Sequence, residues 1–220
     1  PVHWIMLLFG ADTLPATLLD TQAGNRTRGH RFHAPAPITL GTPDDYAGAL
    51  ETGGKVIASF AKRREMIRSG VEAKAKEMGG RAILSEALLE EVTALVEWPV
   101  PVAGRFEERF LELPREVLIS TLQDHQRYFA VEDATGRLLT AFITVSNIES
   151  REPAQVRTGN ERVVRPRLSD AAFFWQQDRR EPLAAHLAGL DAVTFQAKLG
   201  SLGAKVKRIE SISETISARL

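Results

Sequence analysis

The fold is decided by residues 127–148, which read RYFAVEDATGRLLTAFITVSNI. Two apolar runs, 127–131 and 138–148, flank a polar segment, 133–137, that contains a glycine. This pattern predicts a β-hairpin, because turn residues between two apolar runs favour antiparallel pairing. The second run is almost continuously apolar, which is typical of a strand in the middle of a sheet.

Helices are predicted on both sides of this hairpin. Ser85 is a favourable N-cap for one helix, Pro114 can begin another, and a longer helix is predicted over residues 55–78. Residues 98–103 contain two prolines, which removes two hydrogen-bond donors and predicts an edge strand or an extended segment. The predicted fold class is therefore α+β, with a mixed or antiparallel sheet flanked by helices.

The N-terminal part is less regular. Residues 3–9 and 17–19 predict paired strands, residues 21–33 a polar loop, and residues 38–40 another strand.

The C-terminal part is predicted to be helical. A helix is expected from Pro153 onward, with a break at Gly159-Asn160 and a kink or restart at Pro166. Apolar residues at helical spacing in residues 199–220 predict a helical C-terminal extension.

Composition excludes several classes of protein. The 220 residues contain no cysteine, which rules out disulfide scaffolds, thiolate zinc sites and cysteine nucleophiles. The 28 Lys and Arg equal the 28 Asp and Glu, which rules out a polybasic protein but not local basic faces. The apolar run 4–9 is far shorter than the ~20 residues of a membrane span. Because the chain begins at Pro1 and ends in a helical pattern, we expect a piece of a longer protein.

No catalytic or metal-binding residue is predicted. The sequence lacks the phosphate-binding glycine loop, the His-Glu-x-x-His zinc motif and the Gly-x-Ser-x-Gly nucleophile motif. His30 and His33 are close together but lack a third ligand. Asp124-His125 most resembles a catalytic pair, yet adjacent residues on a strand point to opposite faces, so a structural role is favoured.

Three basic clusters are the candidate binding residues, because guanidinium and ammonium groups bind phosphates. The second cluster precedes the aromatic residues 173–175, which could stack bases. The helical spacing of Leu168, Ala171, Ala172 and Trp175 favours instead a place for these aromatic residues in the core. The clusters are Arg26, Arg28 and Arg31; Arg162, Arg165 and Arg167; and Lys205, Lys207 and Arg208.

Several motifs follow one another along nearly the whole chain. They are RGHRF at 28–32, EEV at 90–92, LVEWP at 95–99, HQRYF at 125–129, NIES at 147–150, GNE at 159–161, RLSDAAFF at 167–174, FQ at 195–196 and LGSL at 199–202. In this order they resemble the beta subunit of bacterial-type glycyl-tRNA synthetase.

The resemblance implies a piece from the middle of a beta subunit that works with an alpha subunit. The alpha subunit would bind ATP and glycine, so no cofactor is expected in this piece, and the beta subunit would hold tRNA(Gly) in a cytoplasmic alpha2beta2 enzyme. Residues 1–198 would be similar to the editing-type domain of phenylalanyl-tRNA synthetase. Residues 199–220 would begin a helical HD-type domain.

Three functions follow from these observations. The first is to bind and position tRNA through the nine basic residues, without catalysing the formation of any covalent bond. The second is subunit assembly without RNA contact, through Val100, Val102, Ile212 and Ile216. The third is hydrolysis of mischarged tRNA with His125 or His30 as base. Editing is not expected, because no amino acid is smaller than glycine and steric exclusion suffices.

Overall fold

The structure is a computed structural model that describes residues 2–219. The chain divides into two compact units, of which the first ends at Ala171 and the second begins at Ala172. The predicted domain boundary after residue 198 lies inside the second unit. The predicted nature of the two domains stays a prediction.

Seven short strands come first, and they form three small sheets. β5 lies between β1, its parallel neighbour, and β4, its antiparallel neighbour, while β2 pairs with β3 and β6 with β7. The strands are β1 (Ile5–Met6), β2 (Leu8–Phe9), β3 (Asp12–Thr13), β4 (Thr17–Leu18), β5 (Thr21–Gly24), β6 (Arg26–Arg28) and β7 (Pro37–Thr39). The prediction of a polar loop at 21–33 is wrong. Thr27 is buried between two exposed arginines, which is the alternation of a half-buried strand.

The rest of the first unit alternates helices and strands. In chain order these are α1 (Tyr46–Thr52), α2 (Phe60–Glu77), β8 (Arg81–Ala82), α3 (Glu86–Leu95), β9 (Val100–Arg105), α4 (Arg115–Gln126), β10 (Phe129–Glu132), β11 (Leu138–Ser146) and α5 (Pro153–Asp178). Short 3₁₀ helices occupy Pro43–Asp45 and Glu108–Glu112.

The predicted hairpin is confirmed at the centre of a four-stranded sheet. The strand order is β8-β10-β11-β9 and each pair is antiparallel. β11 therefore lies inside the sheet and the proline-containing β9 lies at its edge, as predicted. The α+β class is thus confirmed, whereas the likeness to an editing-type domain stays a prediction.

Helices α2 and α3 bury their apolar stripes against this sheet. The shared core is fully or almost fully buried, and each of its side chains larger than alanine contributes about 1.5–3 kcal/mol by leaving water. Its members include Ile67, Val71, Ala75, Leu88, Leu89, Val92, Phe129, Val131 and Ile143. Helix α2 begins five residues later than predicted. Lys55 has a positive φ of 54°, and the Ser59 hydroxyl caps the helix by accepting the Lys62 N–H.

The turn of the central hairpin depends on one carboxylate. Asp133 Oδ1 accepts hydrogen bonds from the Thr135 hydroxyl at 2.6 Å, the Thr135 N–H at 2.8 Å and the Arg137 N–H at 3.0 Å. The hydroxyl of Thr135 and the N–H of Arg137 together lower the pKa of Asp133 from 3.8 to about 2. Gly136 supplies the positive φ of 83° that closes the turn.

We expect this turn to make the protein less stable in acid. Because the folded pKa of Asp133 is depressed, its contribution is present above pH 3.8 and is lost as the pH falls toward about 2. An Asp133→Asn variant cannot lose this contribution by titration. Between pH 3.8 and about pH 2, the urea concentration at the unfolding midpoint should therefore fall more steeply with decreasing pH for the wild type than for the variant. Parallel curves for the two proteins would contradict the assignment.

Helix α5 runs without interruption through Gly159, Asn160 and Pro166, so the predicted break is wrong. Asn160 is held at both ends of its amide, donating to the Val156 carbonyl at 2.7 Å and accepting from the Tyr128 hydroxyl at 2.5 Å. Burial raises the pKa of the Tyr128 phenol, which keeps the donor protonated. These hydrogen bonds outweigh the local preference for a break.

The second unit contains a 3₁₀ helix (Leu183–Ala192), β12 (Thr194–Gln196), β13 (Gly200–Ser201) and α6 (Leu202–Ser217). The Ser201 hydroxyl caps α6 by accepting the Ala204 N–H at 3.1 Å. The helical C-terminal extension is thus confirmed. No helix among residues 2–219 is long and apolar enough to span a bilayer.

The prediction that the aromatic residues at the end of α5 lie in the core is wrong for two of them. Phe173 and Phe174 are 58% and 61% exposed. The buried stripe of α5 runs through Val164 and Leu168 and continues at three- and four-residue steps to the half-buried Trp175. Both phenylalanines fall outside that stripe.

Candidate nucleic-acid interface

The nine predicted basic residues lie on three separate elements. The first three lie on β6 and the turn after it, the next three on α5, and the last three on α6 in the second unit. Whether any of them contacts RNA stays a prediction, but the three groups differ in exposure, pairing and rigidity.

The β6 cluster is an outward row of charges formed by three arginines. Arg26 and Arg28 are exposed on either side of the buried Thr27, so the pleat directs both side chains away from the core. Arg31 is also exposed, in the turn that follows. Among residues 2–219, none of these three arginines forms an ion pair with an acidic side chain. This cluster is therefore available to an anionic ligand.

His30 fixes the turn that carries Arg31. Its ring is only 2% exposed, and Nδ1 accepts the N–H groups of Phe32 at 3.2 Å and His33 at 3.3 Å. Because Nδ1 is an acceptor, the proton is on Nε2, which donates to the Asn147 carbonyl at 2.6 Å. The turn is closed by the Ala34 N–H, which donates to the His30 carbonyl at 2.8 Å.

Asn147 ties this turn to a third segment of the chain. Its side-chain oxygen accepts the N–H groups of Glu97 at 2.7 Å and Trp98 at 3.0 Å. Two residues further on, the Glu149 N–H donates to His33 Nε2 at 2.9 Å. The motifs RGHRF, LVEWP and NIES thus meet in one place, which we call the anchor junction (28–33, 97–98 and 147–149).

Gly54 completes the anchor junction from the end of α1. Its carbonyl accepts the His30 N–H at 2.7 Å, and a Cβ on Gly29 would lie 2.5 Å from the same oxygen. Only glycine at position 29 allows this approach. Sequence reasoning missed the anchor junction, because its hydrogen-bonded partners are up to 117 residues apart and leave no local pattern.

The three arginines of α5 do not form a single clamp. Arg162 and Arg165 are three residues apart and are neighbours on the helix surface, whereas Arg167 lies on another side. Arg165 Nε pairs with Glu107 at 2.5 Å, so its charge is partly neutralised.

The basic residues of α6 are also divided. Lys205 and Arg208 share one side of the helix, and Lys207 lies away from them. The Lys205 ammonium is 4.0 Å from the centre of the Phe195 ring, a cation–π contact within the second unit.

The histidines considered as a hydrolytic base are not arranged for that role. Both ring nitrogens of His30 are engaged with the backbone, so no lone pair is available to accept a proton from water. His125 is exposed, and the neighbouring Asp124 carboxylate accepts the Ser120 hydroxyl at 2.7 Å. Within residues 2–219, no group of three or more His, Asp or Glu side chains could hold a metal ion.

One exposed aromatic residue lies beside the β6 cluster. Phe32 is 72% exposed and follows Arg31 directly. The sequence signal for it is an aromatic residue next to arginines in a polar segment that lacks acids, which is also typical of nucleic-acid contacts.

Comparison with known proteins gives one consistent result. All of residues 1–220 match the family model described as glycyl-tRNA synthetase beta subunit. The glycine–tRNA ligase beta subunit of Marinobacter nauticus is 52% identical over 218 residues, which cover 99% of this chain and 32% of that protein. Those of Chromohalobacter salexigens and Hahella chejuensis are 53% and 51% identical over 220 residues, all of this chain and 32% of theirs. The chain spans about a third of the length of these relatives.

Proposed function

The chain belongs to the glycyl-tRNA synthetase beta-subunit family, and from this premise we propose that it binds tRNA(Gly) and positions it for glycylation. The observation that carries the proposal is the outward row of Arg26, Arg28 and Arg31. These three charges have no acidic partner among residues 2–219, and the buried His30 fixes the turn that carries Arg31. Phosphate contacts of this kind set the register of a bound nucleic acid.

Rigidity is what makes this cluster suited to positioning. Guanidinium groups bind phosphate oxygens through two hydrogen bonds at once, which fixes direction as well as distance. β6 is paired along its length with β7, and hydrogen bonds to Asn147, Glu149 and Gly54 hold the turn. Because the turn is already ordered, binding costs less conformational entropy. The basic residues of α5 and α6 would contribute additional phosphate contacts.

The chemistry of the reaction would belong to the complete enzyme. We propose that an alpha subunit binds ATP and glycine and forms the activated amino acid. This chain would contribute by holding the tRNA in place while glycine is transferred to it. The complete enzyme would be an alpha2beta2 heterotetramer in the cytoplasm, and the isolated piece would be inactive.

The test is to replace Arg26, Arg28 and Arg31 together by Gln in the full-length subunit assembled with its alpha partner. Removing three phosphate-binding groups should weaken tRNA binding by about tenfold to a hundredfold at low salt. The KM for tRNA should rise, whereas the KM for ATP should not change. Fluorescence anisotropy with labelled tRNA and steady-state glycylation measure the two quantities.

A matched control removes the same charge elsewhere. Arg64 and Arg68 share Glu86 and also pair with Glu90 and Glu65 respectively, and Arg137 pairs with Asp133, so each of these charges already has an acidic partner. Replacing these three by Gln should leave tRNA affinity near the wild-type value. If both triple variants weaken binding equally, the effect is one of net charge and the β6 cluster has no special role.

A second candidate function is subunit assembly, and one observation favours it. Ile209, Ile212 and Ile216 lie at three- and four-residue steps on α6 and are 52%, 59% and 54% exposed. Such an apolar stripe is typical of a surface that another chain segment covers. Val100 and Val102, also expected at an interface, are half-buried in β9. Co-elution separates the candidates: the arginine variant should co-elute with the alpha subunit unchanged, whereas failure to co-elute would assign the arginines to assembly.

A further inference from the structure

Phe32 is an aromatic side chain that the fold holds out in solvent. It is 72% exposed, while the residue two positions before it, His30, is 2% exposed. The Phe32 N–H donates to His30 Nδ1, and the two rings are 6.1 Å apart at an angle of 51°. The turn that carries the ring is therefore fixed to the interior, although the ring itself is outside.

Two arginines without acidic partners are close to Phe32 in the sequence. Arg28 and Arg31 lie within four residues of it, and neither pairs with an acid among residues 2–219. An exposed aromatic ring beside unpaired guanidinium groups matches the two needs of a nucleotide, since the base stacks on the ring and the phosphate binds the cations. An acidic or purely apolar partner would use only half of this arrangement.

Stacking on an aromatic ring requires an unpaired nucleotide. In a duplex each base is stacked on both sides, so a protein ring has no base face to contact. Only an unpaired nucleotide can present one.

We propose that Phe32 is a stacking platform for an unpaired base of the bound RNA, with Arg28 and Arg31 holding the adjoining phosphates. This inference rests on the proposed function, because it names which form of RNA the β6 cluster takes. Two short RNA probes test it: an unstructured single strand, and the same strand annealed to its complement.

The experiment compares four variants of the full-length subunit with its alpha partner. Phe32→Ala and Phe32→Leu remove the aromatic face, and we expect the single strand to bind about tenfold more weakly to both. Phe32→Trp keeps a stacking face and should bind like the wild type. Phe9→Ala is the control. The Phe9 ring is similarly exposed, at 76%, but residues 1–25 contain no Lys or Arg, so this variant should bind the single strand like the wild type.

Two further readouts separate stacking from other roles. The salt dependence of binding should not change in Phe32→Ala, because no charge is removed. Duplex affinity should also stay the same. Equal weakening of single strand and duplex, or wild-type affinity in Phe32→Ala, would overturn the proposal. So would dissociation of the alpha subunit from that variant, since the ring would then be a protein contact.

Failure of this proposal can be distinguished from failure of the proposed function. If Phe32→Ala binds normally while the triple arginine variant binds weakly, stacking is wrong and tRNA binding by the β6 cluster stands. If neither variant differs from the wild type, both are wrong.

Discussion

Replacing His30 by Ala is expected to lower the free energy of unfolding by about 3–5 kcal/mol and to weaken tRNA binding as well. The ring is 2% exposed, so its removal leaves a cavity. It also leaves the Asn147 carbonyl and the N–H groups of Phe32 and His33 without their partner. An unsatisfied group costs about 1–3 kcal/mol when it is shielded from water, and these hydrogen bonds are half-buried, so the lower end of that range applies.

The effect on RNA would be indirect. His30 is buried and cannot touch the ligand, but without it the turn that carries Arg31 no longer has a fixed geometry. His30 is therefore a positioning residue, and the variant should bind tRNA more weakly without any change in the number of positive charges.

His33→Ala is the matched control. His33 is half-buried and makes one comparable bond, accepting the Glu149 N–H at 2.9 Å, so we expect a destabilisation of about 1 kcal/mol. Urea unfolding and tRNA titrations measure both variants. Equal unfolding midpoints for the two would show that His30 does not hold the junction, and unchanged tRNA affinity in His30→Ala would separate the junction from binding.

The second large effect is expected at Gly104, in the edge strand β9. It lies directly opposite Phe142 of β11, and a Cβ on it would lie 2.4 Å from the end of that ring. The ring cannot move aside, because it is 0% exposed and stacks on Tyr128 with a centroid distance of 4.9 Å. Gly104→Val should therefore cost about 3 kcal/mol or more, although valine is favourable in strands.

Gly159→Ala provides the contrast for this substitution. Gly159 lies inside α5, and a Cβ there would meet nothing within 4 Å. Because alanine is a better helix former than glycine, this variant should be more stable than the wild type by up to about 1 kcal/mol. Thermal or urea unfolding of the two variants should give shifts of opposite sign. A mild effect of Gly104→Val would mean that the sheet can yield at this point.

The parts of the fold that could be predicted from sequence are those that local chemistry determines. The hairpin follows from a polar turn between apolar runs, the edge position of β9 from Pro99 and Pro101, and the start of α3 from the Ser85 cap. In each case a few neighbouring residues carry the whole signal.

The wrong predictions concern features that depend on residues far away in the sequence. Gly159 and Asn160 should break a helix by their own preferences, but Tyr128, 32 residues away from Asn160, holds that side chain within α5. The prediction for Phe173 and Phe174 relied on the helical spacing of their neighbours, yet both lie outside the buried stripe that continues from Leu168. Periodicity shows that a face exists and does not show which face the fold covers.

The candidate site divides in the same way. The arginines are visible in the sequence as a basic segment without acids. Their outward direction and the anchor junction that fixes them depend on the pairing of β6 and on hydrogen bonds to Asn147, which no local pattern records.

The central claim is that the β6 cluster holds RNA phosphates. Its most direct test is the dependence of tRNA affinity on salt, measured for the assembled wild-type enzyme and for the enzyme with Arg26, Arg28 and Arg31 replaced by Gln. Removing one arginine–phosphate ion pair should reduce the slope of log affinity against log salt by about one. We therefore predict a slope that is shallower by about three in the triple variant, and an identical slope in the two proteins would contradict the claim.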